Sequence, residues 1–500
     1  MTPRPEPRFD AIVVGAGFGG LGAALALAEG GARVALLETL RYPGGCASTF
    51  TRDGFRFEAG ATLFSGFSEG QLFRRWIDRY DLDVDLDWLD PIVELRAPGI
   101  RLAIPRSRQE LVRRFAALPG APGIRRLSRF FARQRQAAEA LWSVLDEPEL
   151  LPPFRAASLL RHLARTPRYA RLLPWIGRPL AHLIERGGLG GFRAFRLYAD
   201  ALCQITVQCG SEEAEAPVAL AAMDYYFRGT AHVRGGIGRL AWALVEAIRR
   251  QGGVVRLAER ARSVVREADV WLVRTRGGVL RARAVVLNVL PQSLPGLVEP
   301  DGVLERATLE ELSAKVERGW GACMLYAVVR PPCAGAQVAR HFQVIADPER
   351  PLAEGNHVFC SISGPGDEGR CPAGLRTMTV STHVDLGRLR ALSDAEQACT
   401  VTAIQEAMRA TLAAELPEWR ADIRYERTAS PRTFARFTGR HLGYVGGVPR
   451  RAGLWNYQRL SPLEVAPKLF LVGDSVFPGQ STLATAVGGH RVAAKALAGL

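Results

Sequence analysis

Lysine is nearly absent from this 500-residue chain, although lysine and arginine together number 65. Only Lys315, Lys468 and Lys495 are lysines, so arginine carries almost all of the positive charge. With 50 acidic residues, the formal net charge is +15. A basic surface suits nucleic acid, anionic lipid or an acidic ligand. Because no nucleic-acid motif accompanies the charge, we expect a lipid surface and no nucleic-acid partner.

Long apolar runs are also missing, and no stretch of about 18 uncharged apolar residues indicates a transmembrane helix. Residues 1–8 are a polar arm without the apolar stretch and cleavage site of a signal peptide. We therefore expect a cytoplasmic protein. At about 100–200 residues per domain, the length predicts two or three domains.

Signatures of metal sites and of hydrolases are lacking as well. The eight cysteines, from Cys46 to Cys399 and including Cys333, form no CxxC pair and match no zinc spacing. We expect reduced thiols and no metal. The eight histidines lie in no hydrolase motif, so the chemistry must come from elsewhere.

A glycine-rich turn near the start predicts a dinucleotide site. Residues 9–14 are an apolar, β-branched run typical of a buried parallel strand, and residues 21–30 predict a helix rich in Ala and Leu. The G-x-G-x-x-G pattern lies between them. Its glycines would make the turn, admit a pyrophosphate and let the helix pack closely, while the helix N-terminus meets the negative charge. The predicted binding residues of this turn are Gly15, Ala16, Gly17, Gly19 and Gly20.

An acidic residue supports this interpretation. Residues 33–37 predict a second strand, and Glu38 ends it near the spacing expected for the acid that binds a ribose hydroxyl. A carboxylate there also disfavours a 2′-phosphate, because like charges repel.

The far end of the chain distinguishes FAD from NAD. A second glycine pair, Gly44 and Gly45, followed by Cys46, gives another close backbone approach after Glu38. Residues 468–472 predict a strand closed by Gly473 and Asp474. Asp474 can bind a ribityl hydroxyl, and the N-terminus of the helix predicted at 481–498 can stabilise charge on a flavin ring. NAD has neither part, so we expect non-covalent FAD.

These motifs resemble the FAD-dependent carotenoid desaturase and isomerase family, which is phytoene desaturase-like and shares an amine-oxidase-like architecture. The resemblance covers most of the chain. It rests on residues 15–20, Glu38, P-G-G-C-A-S at 43–48, G-F-R-F-E-A-G-A-T at 54–62, R-G-G-I-G at 234–238 and G-D-S-V-F-P-G-Q at 473–480. The segments 432–440 and 443–449 look most like terminal 3′,4′-desaturases within that family.

The resemblance also implies residues beside the cofactor. It places the adenine near the backbone of Val264, and it places the flavin near Gly60, Ala61, Thr62, Gln480, Ser481 and Thr482. Ser481 departs from the family, because glycine is usual at that position. No catalytic side chain is assigned, since hydride transfer takes place on the flavin.

The resulting fold class is α/β, with a discontinuous Rossmann-type FAD-binding domain and an inserted α+β substrate domain. The predicted FAD-binding segments are 1–75, 226–295 and 462–500, and the substrate-domain segments are 76–225 and 296–461. A polyene substrate predicts a long apolar tunnel that ends at the flavin.

An arginine-rich segment at about 155–196 could dock on a membrane. Leu150 to Arg196 contains nine arginines, one acid and many Leu, Trp and Tyr residues at helical spacing. This pattern is typical of an interfacial helix, and a packed helix with solvated charges explains it equally well.

Four functions stay open. The first is desaturation of a carotenoid by hydride transfer to flavin, and the second is a cis–trans isomerase or polyene saturase that uses reduced FAD. The third is an amine oxidase, against which the lysine-free stretch 323–326 counts. The fourth is a carotenoid carrier that bears a flavin.

Overall fold

The computed structural model describes residues 8–147, 150–152, 154, 156–299, 303–332, 339–367 and 369–500. Three features of the sequence lie outside the described residues: the arm at 1–7, Arg155 at the start of the arginine-rich segment, and Cys333.

Helices and strands alternate along most of the chain. The helices are α1 Phe18–Glu29, α2 Leu72–Tyr80, α3 Arg108–Ala116, α4 Ile124–Leu145, α5 Ala156–Ala170, α6 Leu180–Arg186, α7 Arg193–Thr206, α8 Ala216–Ala222, α9 Ile237–Arg250, α10 Arg306–Glu317, α11 Leu386–Arg390, α12 Asp394–Glu415, α13 Pro431–Thr438 and α14 Thr482–Ala498. The strands are β1 Arg8–Val14, β2 Val34–Leu37, β3 Thr49–Arg52, β4 Phe55–Glu58, β5 Leu86–Asp87, β6 Val93–Ala97, β7 Ile100–Ile104, β8 His232–Val233, β9 Val254–Arg256, β10 Ser263–Glu267, β11 Val270–Thr275, β12 Gly278–Leu287, β13 Val298–Glu299, β14 Trp320–Val329, β15 His341–Ile345, β16 His357–Ile362, β17 Arg376–Asp385, β18 Ile423–Ala429, β19 Leu463–Ala466 and β20 Leu469–Leu471.

The first sheet has a parallel centre. Its order is β13-β10-β11-β12-β1-β2-β9, with β20 beside β12 and β19 beside β20. Strand β1 runs parallel to β2 and β12, and β20 runs parallel to β12. The carboxyl ends of these strands meet at one edge, which is where ligands bind in open α/β sheets. The predicted strands at 9–14 and 33–37 are confirmed, with ends shifted by one residue.

This sheet draws on three separate stretches of the chain, as the discontinuous FAD domain requires. Its strands come from residues 8–37, from 254–299 and from 463–471. Helices α1 and α14 pack so tightly that a Cβ on Gly489 would lie 2.1 Å from the Gly19 carbonyl oxygen. The domain boundaries remain predictions, and β13 lies three residues beyond the predicted boundary at 295.

The second sheet is mostly antiparallel, in the order β18-β14-β17-β16-β15-β6-β7. One face is apolar and packs with α12 around Phe342, Cys360 and Val380. On the other face, the register aligns Tyr326, Thr379, Ser361 and His341 in one row across β14, β17, β16 and β15. This second face carries most of the sheet's hydroxyl and imidazole groups.

The arginine-rich segment is not one continuous amphipathic helix. It forms α5, a turn at Leu173–Trp175, α6 and the start of α7. Leu172, Leu180 and Leu183 are buried in the core between these helices and the second sheet. Leu160 and Leu163 on α5 are 70% and 69% exposed. Only part of the predicted apolar face is therefore open, because the rest packs on the protein.

Within the described part of the chain, no helix combines the length and the apolar composition that crossing a membrane requires.

Candidate functional site

The glycine turn lies between β1 and α1, as predicted. Gly17 is the N-cap of α1, so the helix begins at Phe18, three residues before the predicted start. A Cβ on Gly20 would lie 1.9 Å from the Gly15 carbonyl oxygen, so only glycine lets the first turn of the helix approach the strand end. The free N–H groups of α1 point from this turn toward the edge of the sheet.

Glu38 closes β2 beside that turn. Its Oε2 accepts the Ala16 N–H at 2.8 Å, and its Oε1 accepts the Leu40 N–H at 2.8 Å. Burial raises the pKa of the Glu38 carboxyl, although these backbone hydrogen bonds oppose the shift. Each oxygen keeps a further lone pair that can accept a hydroxyl.

The second glycine pair lies against the first turn. The Gly44 N–H donates to the Ala16 carbonyl at 2.8 Å, and Gly44 forms an isolated parallel bridge with Gly17. Gly45 and Cys46 start a short 3-10 helix directly after it. The structure thus brings together two motifs that are more than 20 residues apart in the sequence.

Residues 59–62 continue this surface toward the second sheet. A Cβ on Gly60 would lie 3.1 Å from the Cys46 carbonyl oxygen. The Thr62 hydroxyl accepts a hydrogen bond from Ser361 Oγ at 2.6 Å, whereas Ala61 is exposed. The Tyr326 hydroxyl donates to the Ala59 carbonyl at 2.6 Å.

The C-terminal motif follows β20 at the same edge. Asp474 is paired with Arg440, whose Nη2 lies 2.9 Å from Oδ2 and 3.1 Å from Oδ1. Burial alone would lower the pKa of Arg440, but the charge of Asp474 reverses this and holds that pKa above its usual value. The sequence alone indicates Arg440 only as a possible polar group of the substrate domain, not as a partner of Asp474.

The start of α14 is close to what the sequence predicts. Ser481 is the N-cap, and its Oγ accepts the Ala484 N–H at 3.0 Å, while Thr482 begins the helix. Ser481 has φ +113°, in a region that L residues rarely adopt. The backbone therefore keeps a glycine-type conformation although the residue is serine.

Gln480 connects this loop with the substrate-domain helices. Its Nε2 donates to the Ile205 carbonyl of α7 at 2.8 Å. Its buried Oε1 has no hydrogen-bond partner among the described residues, and the same holds for Oγ of Ser475. Two buried polar atoms therefore remain available to a ligand at this edge.

Val264 is not brought to the other predicted residues. It lies inside β10, between β13 and β11, and its N–H donates to the Leu297 carbonyl at 2.7 Å. The segment that reaches Glu38 is the loop after β9, where the Glu259 N–H donates to the Glu38 carbonyl at 2.8 Å. Strand β9 pairs with β2 and so delivers this loop, whereas β10 crosses to the far side of the sheet.

Asn288 is a central residue that sequence reasoning missed. It directly follows β12, and its Nδ2 lies 3.4 Å from the Gly15 carbonyl oxygen. A Cβ on Gly17 would lie 2.7 Å from Nδ2, and a Cβ on Gly473 would lie 3.1 Å from Oδ1. The Asn288 side chain thus lies between the glycine turn after β1 and Gly473 after β20. The available signal was a polar residue at the carboxyl end of a central parallel strand.

The second sheet faces residues 59–62 with its mixed polar side, not with the uniformly apolar lining expected for a tunnel. His383 lies there with Nε2 3.3 Å from Nε2 of Gln208, and burial lowers the pKa of His383 to about 4. Nε2 of His357 is 2.6 Å from Oε1 of Gln343. These polar groups are accommodated because each lies within hydrogen-bonding distance of another polar side chain.

A model of the flavin containing amine oxidoreductase family matches residues 18–497. The chain belongs to this family. It is therefore an FAD-dependent oxidoreductase. Solved putrescine oxidase with bound putrescine has the same fold, with a TM-score of 0.63 at 16% identity over 99% of this chain and 100% of that one.

Two curated relatives agree with the motifs. Chloroplastic prolycopene isomerase 1 of an Oncidium hybrid is 26% identical over 509 residues, which cover 97% of this chain and 84% of that protein. The neurosporene-forming phytoene desaturase of Cereibacter sphaeroides is 28% identical over 308 residues, covering 57% of this chain and 54% of that protein. The resemblance to carotenoid desaturases and isomerases is therefore confirmed within the family.

Proposed function

We propose that FAD binds non-covalently along the carboxyl edge of the first sheet. The glycine turn and the start of α1 would hold the pyrophosphate, Glu38 a ribose hydroxyl, and Asp474 a ribityl hydroxyl. The unpartnered atoms of Ser475 and Gln480 fit this cofactor, since its ribityl chain and flavin ring carry the matching donors and acceptors. The proposed binding residues are Gly15, Ala16, Gly17, Gly19, Gly20, Glu38, Gly44, Gly45, Cys46, Gly60, Ala61, Thr62, Gly473, Asp474, Gln480, Ser481 and Thr482.

We propose further that the substrate is a carotenoid or a related polyene, and that the reaction is desaturation. The main support is the combination of these motifs with relatives named as a prolycopene isomerase and a phytoene desaturase. When bound, the flavin supplies the acceptor for a hydride. The chain's residues would orient the polyene beside residues 59–62 and exclude water there.

A cis–trans isomerase is the second candidate. One observation favours it: the match to the prolycopene isomerase spans 97% of this chain, whereas the match to the phytoene desaturase spans 57%. An isomerase would leave the mass of the polyene unchanged, while a desaturase removes two hydrogens and a saturase adds two.

Pigment analysis tests this assignment. The chain would be expressed in a host that accumulates carotenoids. The variant Gly17→Val, which we expect not to bind FAD, is the inactive control. We expect products two hydrogens lighter than their precursors, detected by mass spectrometry, only with the parent chain. Unchanged masses with altered retention times would establish the isomerase instead, and pigments identical to those of the control would reject both.

We also propose peripheral contact with the cytoplasmic side of a membrane through the α5 patch. This patch comprises Phe154, Leu159, Leu160, Leu163 and Leu173, with Arg161, Arg165, Arg168 and Arg171. Its large apolar side chains are each at least half exposed. Arg168 and Arg171 are exposed, whereas Arg165 already pairs with Glu147 at 2.6 Å. Exposed apolar groups beside arginines suit an anionic lipid surface.

A further inference from the structure

A chain of buried polar side chains leads from Thr62 into the protein. Ser361 Oγ donates to Thr62 Oγ1 at 2.6 Å, and Nδ1 of His341 lies 2.6 Å from the same Ser361 oxygen. Thr62, Ser361 and His341 are 5%, 7% and 0% exposed, so bulk water does not reach these hydrogen bonds. The sheet register fixes the last two, because Ser361 and His341 are directly opposite on β16 and β15.

A second imidazole lies beside the first. The rings of His341 and His232 have centroids 6.0 Å apart. His341 Nε2 and His232 Nδ1 are both buried and have no hydrogen-bond partner among the described residues. With the ring centroids 6.0 Å apart, a water molecule between the rings would connect these two nitrogens. The free nitrogens therefore mark a junction between the two rings.

The chain ends at a carboxylate. His232 Nε2 lies 2.7 Å from Asp367 Oδ2, and the N–H groups of Gly235 and Gly364 also donate to this carboxylate. Burial alone would raise the pKa of Asp367, but the His232 hydrogen bond and the charge of Arg370 bring it below its usual value. The ionised carboxylate holds the proton of His232 on Nε2 and leaves Nδ1 as the acceptor.

We propose that Thr62, Ser361, His341, His232 and Asp367 form a proton path, here called the Thr62–Asp367 relay, that carries the proton released during polyene desaturation. This inference rests on the proposed function, which puts the reacting carbons beside Thr62. FAD, when bound, would supply the acceptor for the hydride and its two electrons. The neighbouring C–H bond then breaks, its electron pair becomes the new double bond, and its proton passes to Thr62.

Thr62, Ser361 and His341 each give up one proton as they receive another. The Ser361 hydroxyl first turns its proton from Thr62 to Nδ1 of His341. The Ser361 proton then moves to Nδ1 of His341, and the Thr62 proton moves to Ser361. The Nε2 proton of His341 then moves to His232. His232 becomes a cation stabilised by Asp367. Burial, with the nearby His232, Arg340 and Arg370, holds the pKa of His341 well below its usual value, so this ring stays neutral and passes the proton on.

Substitution of one ring tests the relay against a purely structural role. His341→Phe removes both nitrogens but keeps a ring that can stack on Phe359, whose centroid is 6.1 Å away. The matched control is His357→Phe, which removes another buried imidazole, bonded to Gln343 at 2.6 Å, from the same sheet face. The measurement is single-turnover bleaching of bound FAD by a polyene, in H2O and in D2O.

We expect His341→Phe to slow bleaching by about 100-fold, within the range of general acid–base catalysis, with polyene affinity unchanged. The solvent isotope effect of His341→Phe should also differ from that of the parent, because in this variant the released proton no longer crosses the imidazole of His341. The control His357→Phe should resemble the parent in its bleaching rate and in its solvent isotope effect. Equal rates for His341→Phe and the parent, or equal slowing by both substitutions, would overturn the relay.

A spectroscopic measurement separates failure of the relay from failure of the proposed function. In FAD-loaded protein labelled with 15N-histidine, Ser361→Ala should shift the ring signals of both His341 and His232. The signals of His357 and His383 serve as internal controls. If no polyene bleaches the FAD of the parent, the desaturase assignment fails. The 15N signals still show whether Ser361, His341 and His232 are connected. An unmoved His232 signal would reject the relay.

Discussion

Arg440 spans both carboxylate oxygens of Asp474 with a single nitrogen, Nη2, at 2.9 and 3.1 Å. The two residues come from different elements, because Arg440 follows α13 and Asp474 follows β20. The ion pair therefore links the loop after the substrate-domain helix to the edge at which we propose FAD to bind. Each carboxylate oxygen keeps a lone pair for a ribityl hydroxyl.

Removal of this carboxylate should release FAD. We expect Asp474→Ala to weaken FAD by about 1.5–3 kcal/mol, the usual contribution of a hydrogen bond to a charged group. The ratio of flavin to protein absorbance and titration of the apoprotein with FAD measure the loss. Asp394→Ala is the control, because Asp394 also pairs with an arginine, Arg432, but is 88% exposed. If both variants retain the flavin of the parent, Asp474 does not bind it.

A side chain in the glycine turn should block the cofactor without unfolding the protein. The Cβ of Gly17→Val would lie 2.7 Å from Asn288 Nδ2, in the space that the pyrophosphate needs. We expect a colourless protein with near-parental circular dichroism. Gly191→Val serves as the control, because a Cβ on Gly191 meets nothing within 4 Å. A yellow Gly17→Val protein would show that the pyrophosphate binds elsewhere.

Ser481 should be a source of backbone strain. At φ +113° a residue with a Cβ is strained by about 1–3 kcal/mol, whereas replacing a serine N-cap by glycine costs only a few tenths. We expect Ser481→Gly to raise the free energy of unfolding by about 1 kcal/mol, allowing for the lost chain entropy of glycine. Ser481→Ala keeps the strain and loses the cap, so it should be destabilised by about 1 kcal/mol. Thermal unfolding, monitored by flavin fluorescence, measures the direction of both changes in stability. If the two variants shift stability in the same direction, Ser481 is not a source of strain.

The α5 patch should bind anionic vesicles in a salt-sensitive way. Each basic residue near such a surface contributes about 1 kcal/mol, and 1 M salt shortens the Debye length to about 3 Å. We expect sedimentation with vesicles at low salt, and loss of binding when Arg161, Arg165, Arg168 and Arg171 become Gln.

A control variant separates the patch from net charge. It carries the same change at the exposed residues Arg249, Arg250, Arg274 and Arg276, which lie on α9, on β11 and in the turn after β11. This control should sediment like the parent. Equal loss in both variants would point to overall charge, and equal binding by the parent and the patch variant would make α5 an ordinary solvated helix.

The sequence predicted those parts of the site whose residues are close together in the chain. The turn after β1 and the acid at the end of β2 follow local spacing rules, because a strand, a turn and a helix fix their relative positions within about 25 residues. The start of α1 was misplaced by three residues, since glycines in the first turn look like loop.

Long-range relationships could not be predicted. The pairing of Arg440 with Asp474 and the position of Asn288 between Gly17 and Gly473 depend on which strands become neighbours. The same holds for Val264, because the route of the chain after β9 decides which loop meets Glu38. In the arginine-rich segment, Leu180 and Leu163 belong to the same pattern of leucines among arginines. Only tertiary packing buries Leu180 and leaves Leu163 exposed.

The contact between α1 and α14 has a consequence for synthesis. The two helices are separated by more than 450 residues, yet backbone atoms near Gly19 and Gly489 are nearly in contact. A ribosome adding about 5–20 residues per second needs roughly 25–90 s to make the intervening chain. During that time the first βαβ unit lacks its partner helix and exposes an apolar face. The nascent chain should therefore depend on chaperones, and FAD should enter only after α14 has been made.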